Sequence, residues 1–253
     1  MTKAPIKIVH TSDVHLDCRD AEVERDGYRN VSERAFATVV DLTVSASADL
    51  FLIAGDLFDS NRVVDADLEF VYDQLRRVDC PVVLIPGNHD VHDHTSVWDR
   101  IDFSEAGDHV HALDVPEGRL LELPEIKASI WGRAMTEHAP ENVPLSGVTK
   151  GPEDFWHIGM AHGDVLGDRT LGCASPITYD EIGESDLHYL ALGHVHVWRQ
   201  HDYGRTRACY PGSPVAEYAT SAGGFTAVVT LGDDTGIEKY QVSERKDQGP
   251  PIF

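Results

Sequence analysis

The stretch PVVLIPGNHD (Pro81–Asp90) runs from an apolar, β-branched segment through a Pro-Gly turn and ends on Asn88, His89 and Asp90. The apolar part has strand length and strand composition, and the turn closes it abruptly. Each of the three polar residues is able to bind a metal or move a proton, and each is equally common in an ordinary capping loop. The neighbouring sequence decides between these readings.

Upstream, DLFLIAGD (Asp49–Asp56) is a second buried strand that also stops at a glycine, Gly55. Ile6–Val9 is a third, shorter one that opens into HTSDVHLD. Between the first pair, Asn30 and Glu33 have capping-box spacing, and Val31, Ala35, Val39 and Leu42 keep helical spacing, with Phe36 and Val40 widening the stripe. Leu68, Val71, Tyr72 and Leu75 mark a second helix. The resulting β-α-β-α-β order predicts a mostly parallel sheet with right-handed crossovers.

After about residue 108 the texture changes. HVHAL, RLLEL and KASIWGRA are short strand-like pieces set between Pro and Gly, and Glu137–Asp154 reads as a surface loop. FWHIGMAHGD, LHYLALGHVH and GGFTAVVTLGD are further strands, and the tail 243–253, SERKDQGPPIF, reads as loosely ordered. No linker divides the chain, so residues 1–253 are expected to form one α/β domain of two stacked sheets with helices outside.

The 253 residues, 42% hydrophobic and 25% charged, suit a globular chain with a substantial core. No apolar run has membrane-spanning length, the N-terminus lacks a signal-peptide core, and the scattered Cys18, Cys80, Cys173 and Cys209 fit reduced thiols in a cytoplasmic protein. The net charge of −22 repels polyanions at long range, so a phosphate-bearing substrate needs something locally positive, such as a metal cluster.

Five strands end in related polar sets: Asp13-Val14-His15, Gly55-Asp56-Leu57-Phe58-Asp59, Gly87-Asn88-His89-Asp90, Ala161-His162-Gly163-Asp164 and Gly193-His194-Val195-His196. Strand carboxyl ends meet along one edge of an open α/β sheet, where ligands bind. In extended backbone, residues i and i+2 face the same side, so Asp13 with His15, and His194 with His196, each present two groups to one cavity. The candidate ligands are Asp13, His15, Asp56, Asn88, His162, His194 and His196. This mixture of carboxylate, carboxamide and imidazole suits two divalent ions such as Mn²⁺, Fe²⁺ or Zn²⁺, and is too rich in nitrogen for a typical Mg²⁺ or Ca²⁺ site.

The ordered set D-x-H, G-D-x-x-D, G-N-H-D, G-H, G-H-x-H resembles the calcineurin-like metallophosphoesterase signature over residues 6–214, with Ala161 in place of a strict glycine in the fourth motif. The flanks IAGDLFDSNR, IPGNHD, ALGHVH and YPGSP are most similar to nuclease subunits of SbcCD-type DNA break-repair complexes. The resemblance implies a four-layer α/β/β/α sandwich and two divalent ions, manganese first among them. One would be held by Asp13, His15, Asp56 and His196, and the other by Asp56, Asn88, His162 and His194, with Asp56 bridging and a shared hydroxide attacking phosphorus. It implies His89 as general acid or transition-state stabiliser, and Asp59 and Asp90 as groups that orient imidazoles.

The expected activity is phosphodiester hydrolysis on DNA or a short nucleic acid, as exonuclease or endonuclease. The alternatives are a small-molecule phosphoesterase acting on a cyclic nucleotide or phosphomonoester, and a metal-binding scaffold subunit. The larger relatives continue into DNA-capping and ATPase-docking regions for which this chain has no room, so an SMC-like ATPase or another DNA-binding partner is expected to supply that surface. No membrane role is expected, and the oligomeric state, a homodimer included, is left open. His92 and His94 read as solvated loop residues and His10 as a core histidine. His109, His111, His138, His157, His188 and His201 read as ordinary, Arg62 as a surface ion-pair partner, and Cys173 and Cys209 as non-nucleophilic.

Overall fold

The computed structural model describes residues 3–16, 22–25, 27–169, 172–219 and 223–244. Two six-stranded mixed sheets lie face to face. The first is ordered Gly236–Glu244 (β16), Gly223–Leu231 (β15), Ile6–Thr11 (β1), Leu50–Ala54 (β4), Val82–Ile85 (β5) and Val110–Ala112 (β6). From β1 to β6 it is parallel, and β15 and β16 join antiparallel. The second is ordered Arg199–Tyr203 (β13), Thr206–Tyr210 (β14), Tyr189–Gly193 (β12), Trp156–His162 (β9), Ala128–Gly132 (β8) and Arg119–Leu123 (β7), parallel through its four central strands. Two small ribbons complete the strands: Glu22–Arg25 (β2) with Tyr28–Asn30 (β3), and Asp164–Leu166 (β10) with Pro176–Thr178 (β11).

The uninterrupted apolar run LFLIA of β4 follows from this layering. Successive side chains of a strand face opposite ways. Phe51 and Ile53 join the core under the helices, whereas Leu50, Leu52 and Ala54 join the core between the sheets with Ile130, Ile158, Met160 and Tyr189. A strand with a packed layer on each side has no position left for a polar residue.

Helix α1 (Val31–Ser45) and helix α2 (Asp65–Leu75) cover the outer face of the first sheet with Phe36, Val39, Val40, Leu68, Val71 and Leu75. Asn30 caps α1 by accepting from the Glu33 amide at 2.8 Å. The Glu33 carboxylate does not close a box on Asn30; it accepts instead from the Arg29 amide at 2.7 Å and from the Arg29 guanidinium. The outer face of the second sheet is covered more thinly than a four-layer sandwich leads one to expect. Its one helix among the described residues, α3 (Tyr179–Ser185), has seven residues, and Ile182 shares the task with Leu145 from the 137–154 loop. Helix α3 is set by a true capping box, Thr178 with Glu181.

The tail expectation is corrected at its start: Ser243 and Glu244 belong to β16, and residues 245–253, like Cys18, lie outside the described residues. No described helix is long and apolar enough to cross a membrane. The two sheets touch at the carboxyl ends of β4 and β12. A Cβ on Gly193 would sit 1.8 Å from the Ala54 carbonyl oxygen, so only glycine permits this approach.

Candidate metal centre

The loops that follow β1, β4, β5 and β12, with the last residue of β9, meet at that contact. The loop after β1 lies along the loop after β4 through Asp13 N–H to Gly55 O (3.1 Å), Val14 N–H to Asp56 O (2.9 Å) and Leu16 N–H to Leu57 O (2.9 Å). Asp13, His15, Asp56 and His194 all take positive φ (54°, 50°, 51° and 100°). Non-glycine residues adopt this region at a cost of about 1–3 kcal/mol each, and do so where surrounding structure fixes a functional side chain. Glycine is required beside them: a Cβ on Gly87 would lie 2.1 Å from Asp56 Oδ1 and 2.4 Å from the Asp56 amide nitrogen.

All seven sequence-predicted ligands converge. Single donor atoms of Asp13, His15 and His196 fall within 4.8 Å of one another, as do those of Asp13, Asp56 and His162. His15 Nδ1 donates to Asp59 Oδ1 at 3.1 Å, and His196 Nδ1 donates to the Tyr218 carbonyl at 3.3 Å. In the neutral rings both Nε2 atoms are therefore lone-pair acceptors, and they face each other at 3.1 Å. His162 Nδ1 donates to the Ala54 carbonyl at 2.9 Å, which turns its Nε2 lone pair toward Asn88 Oδ1 at 3.0 Å and Asp56 Oδ2 at 3.3 Å. His194 sets Nδ1 against Asn88 Oδ1 at 2.8 Å, with Nε2 3.5 Å from Asp164 Oδ2. Acceptor facing acceptor is repulsive unless a proton or a metal ion lies between them, and the neighbouring carboxylates attract either. This donor set therefore fits two divalent ions.

The same carboxylates that would attract metal ions draw protons to these nitrogens. Burial opposes the charged form of every group here, yet the Asp56 carboxylate beside His162 lifts that imidazole to about 9. His15 is likewise raised, burial being outweighed by its Asp59 hydrogen bond and by the charges of Asp56 and Asp13. Asp56, although buried, is held well below the usual carboxylate range by His162, His15 and His89. The His15 hydrogen bond holds Asp59 low.

His89 lies beside the centre, its ring 4.6 Å from that of His15 and edge-on to it, with 43% of its side chain exposed. Its amide donates to Asp56 Oδ1 at 2.8 Å and its Nδ1 to the Asp59 carbonyl at 3.0 Å. Asp59 accepts from His15 Nδ1, the place that the resemblance implies for it. Asp90 does not orient an imidazole. Its buried carboxylate accepts from the amides of Gly87 (2.7 Å), Leu57 (2.9 Å) and Phe58 (3.2 Å) and so ties the β5 loop to the β4 loop. Burial, with the Asp56 charge next to it, pushes Asp90 upward.

Three groups that position imidazoles escape a reading of the sequence. Ala54 and Tyr218 act through backbone carbonyls, which no residue type reveals. Asp164 stands in the fourth motif, and its role is visible only once His194 is placed beside it. His138, ordinary by its sequence context, lies with its ring 5.1 Å from that of His194.

The sequence and the fold have counterparts among known proteins. The model of the calcineurin-like phosphoesterase family matches residues 6–230. The chain is 30% identical over 248 residues to the uncharacterized metallophosphoesterase YhaO of Bacillus subtilis, covering 90% of this chain and 58% of that protein. It is 28% identical over 267 residues to SbcD, the nuclease component of SbcCD from the same organism, covering 90% of this chain and 66% of the relative. The chain thus spans about three fifths to two thirds of the length of these curated relatives. A dimetal phosphatase from Danio rerio superposes with a TM-score of 0.60 at 14% identity, over 95% of this chain and 98% of that one, a likeness of fold.

Proposed function

The chain belongs to the calcineurin-like phosphoesterase family, and from that premise we propose that it hydrolyses phosphodiester bonds in DNA with two divalent ions, manganese first among them. The observation that carries this reading is the convergence of His15 and His196 Nε2, 3.1 Å apart, above two buried carboxylates, an arrangement well suited to a bound divalent ion. Asp13, His15, Asp56 and His196 would hold one ion, and Asp56, Asn88, His162 and His194 the other. Bound divalent ions supply charge stabilisation at the phosphoryl oxygens and a water acidic enough to attack near neutral pH.

The chain's own residues do the rest. Asp59, Tyr218, Ala54 and Asp164 hold the four imidazoles with their binding nitrogens turned inward. As an imidazolium, His89 would keep its Nδ1–H on the Asp59 carbonyl and give up the Nε2 proton to the leaving oxygen, ending as the neutral ring. DNA as substrate is supported by the similarity to the SbcD nuclease. The net charge of −22 favours a partner with a basic DNA-binding face, an SMC-like ATPase or a protein of equivalent function.

The test is an assay of the purified protein with Mn²⁺ on single-stranded DNA, duplex ends, a cyclic nucleotide and bis(p-nitrophenyl) phosphate. Turnover of DNA that weakens steeply with added salt is the expected result. Turnover confined to the cyclic nucleotide, insensitive to salt, would replace this reading with a small-molecule phosphodiesterase, and manganese uptake without turnover on any of the four would replace it with a binding scaffold.

A further inference from the structure

His89 flanks the cradle on the His15 side, and His138 is its counterpart on the His194 side. His138 belongs to the 137–154 loop, is exposed, and sets its ring 5.1 Å from that of His194 at 51°. The loop is held where it is by Ser175, which is fully buried with a positive φ of 49°. The Ser175 amide donates to the Ala139 carbonyl at 2.8 Å, and the Ser175 carbonyl accepts from the Asp164 amide at 3.2 Å. The segment carrying His138 is thus pinned to the strand-end motif that contains His162 and Asp164.

The Ser175 hydroxyl anchors the ring through Nδ1. Asn142 Nδ2 donates to Ser175 Oγ at 2.9 Å, so the hydroxyl spends its own hydrogen elsewhere. Its two other neighbours are His138 Nδ1 at 3.2 Å and Met135 Sδ at 3.9 Å, and a thioether is the weaker acceptor. With Nδ1 engaged by this hydroxyl, Nε2 is the outward nitrogen of His138, and the tautomer that accepts at Nδ1 carries its hydrogen on Nε2. That Nε2–H has no partner among the described residues. The cradle beside it is lined by acceptors, on a chain of net charge −22, so a fixed donor at its rim is suited to an anionic oxygen.

We propose that His138 is a substrate-binding residue whose Nε2–H donates to a non-bridging phosphate oxygen on the His194 side of the centre, opposite His89. The inference rests on the phosphodiesterase reading above and extends it to a group that lies outside the five strand-end motifs. A neutral donor of this kind binds substrate and transition state alike, so its loss shows in KM more than in kcat.

The experiment compares the parent protein with His138→Ala and His138→Gln, each loaded with Mn²⁺. It measures metal content, inorganic phosphate binding by calorimetry, and kinetics on bis(p-nitrophenyl) phosphate. The expected result for His138→Ala is unchanged metal content, phosphate binding weakened about tenfold, and KM raised by a similar factor with kcat changed less than about threefold. The glutamine variant, whose amide retains a donor, should recover part of the loss. Unchanged phosphate affinity and KM, a loss of metal in His138→Ala, or no recovery with glutamine would each overturn the proposal. Because phosphate binding is read without turnover, a manganese-loaded protein that fails to hydrolyse any diester sinks the functional reading while still testing His138. Failure to take up manganese at all would sink both.

Discussion

His162, the last residue of β9 in the second sheet, donates through Nδ1 to the carbonyl oxygen of Ala54, the last residue of β4 in the first, at 2.9 Å. The packing of one sheet on the other therefore chooses which imidazole nitrogen faces the centre. The orientation of this candidate ligand is here a property of the fold rather than of the loop that follows it.

Asp56 is the residue through which both halves of the centre are joined, with Oδ2 3.3 Å from His162 and 3.9 Å from His15. Asp56→Asn should retain the fold and lose both ions, because the amide offers a single neutral acceptor where two sites share a charge. Metal analysis after dialysis checks this, and two tightly retained ions would contradict the bridging assignment.

His89→Asn should keep the metal content of the parent and lose at least about 10²-fold in turnover, the cost of removing a general acid or transition-state contact. The comparison of metal stoichiometry with rate on one preparation decides it. Survival of both would remove His89 from the chemistry.

Gly193→Ala should damage metal binding and stability together. The added Cβ meets a backbone carbonyl at 1.8 Å and cannot be relieved by turning a side chain, so the sheets have to part. A loss on the order of 3 kcal/mol is expected from overpacking at such a rigid point. A variant with the parent's Tm and full metal content would show that the sheets adjust more freely than this contact implies.

His10 supplies a pH signature away from the ligands. Burial pushes it down to about 3, and its ring is bonded to the Tyr189 hydroxyl at 2.7 Å. The unfolded chain binds a proton at pH values where the folded chain does not, so stability is complete above about pH 6.5 and falls as pH drops toward 3. This one group contributes a slope of up to about 1.4 kcal/mol per pH unit within that window. Denaturant unfolding at pH 7 and pH 5 should show a shallower loss for His10→Gln than for the parent. Equal slopes would mean that His10 already shares its proton in the folded state.

The elements that carry the centre are legible because parallel strands buried on both faces leave a plain sequence signature, an apolar run such as LFLIA or VVLI broken by glycine and a polar set. Among the strands that sequence does not reveal are the edge strands β13 and β16, whereas the opposite edges, β6 within HVHAL and β7 as RLLEL, are legible. RQHDY of β13 is largely exposed and lacks the alternation of a half-buried strand, and its antiparallel pairing with β14 turns at Gly204 without an apolar run to announce it. At the site, spacing names candidate ligands that the fold brings together, but not the groups that aim them. Asp90 follows His89 and so invites an imidazole-orienting role, but the amides of its own turn and of the β4 loop claim it first. Asp164 hides for the same reason, since its partner His194 lies on another strand end.

The 137–154 loop separates Asp13, His15, Asp56 and Asn88 on one side of the chain from His162, His194 and His196 on the other. A single cut there would divide the candidate ligands four to three, and neither fragment would own a complete cradle. Rejoining of the two pieces would then be reported by metal uptake itself, which makes this loop the natural seam for a split protein whose signal appears only on assembly.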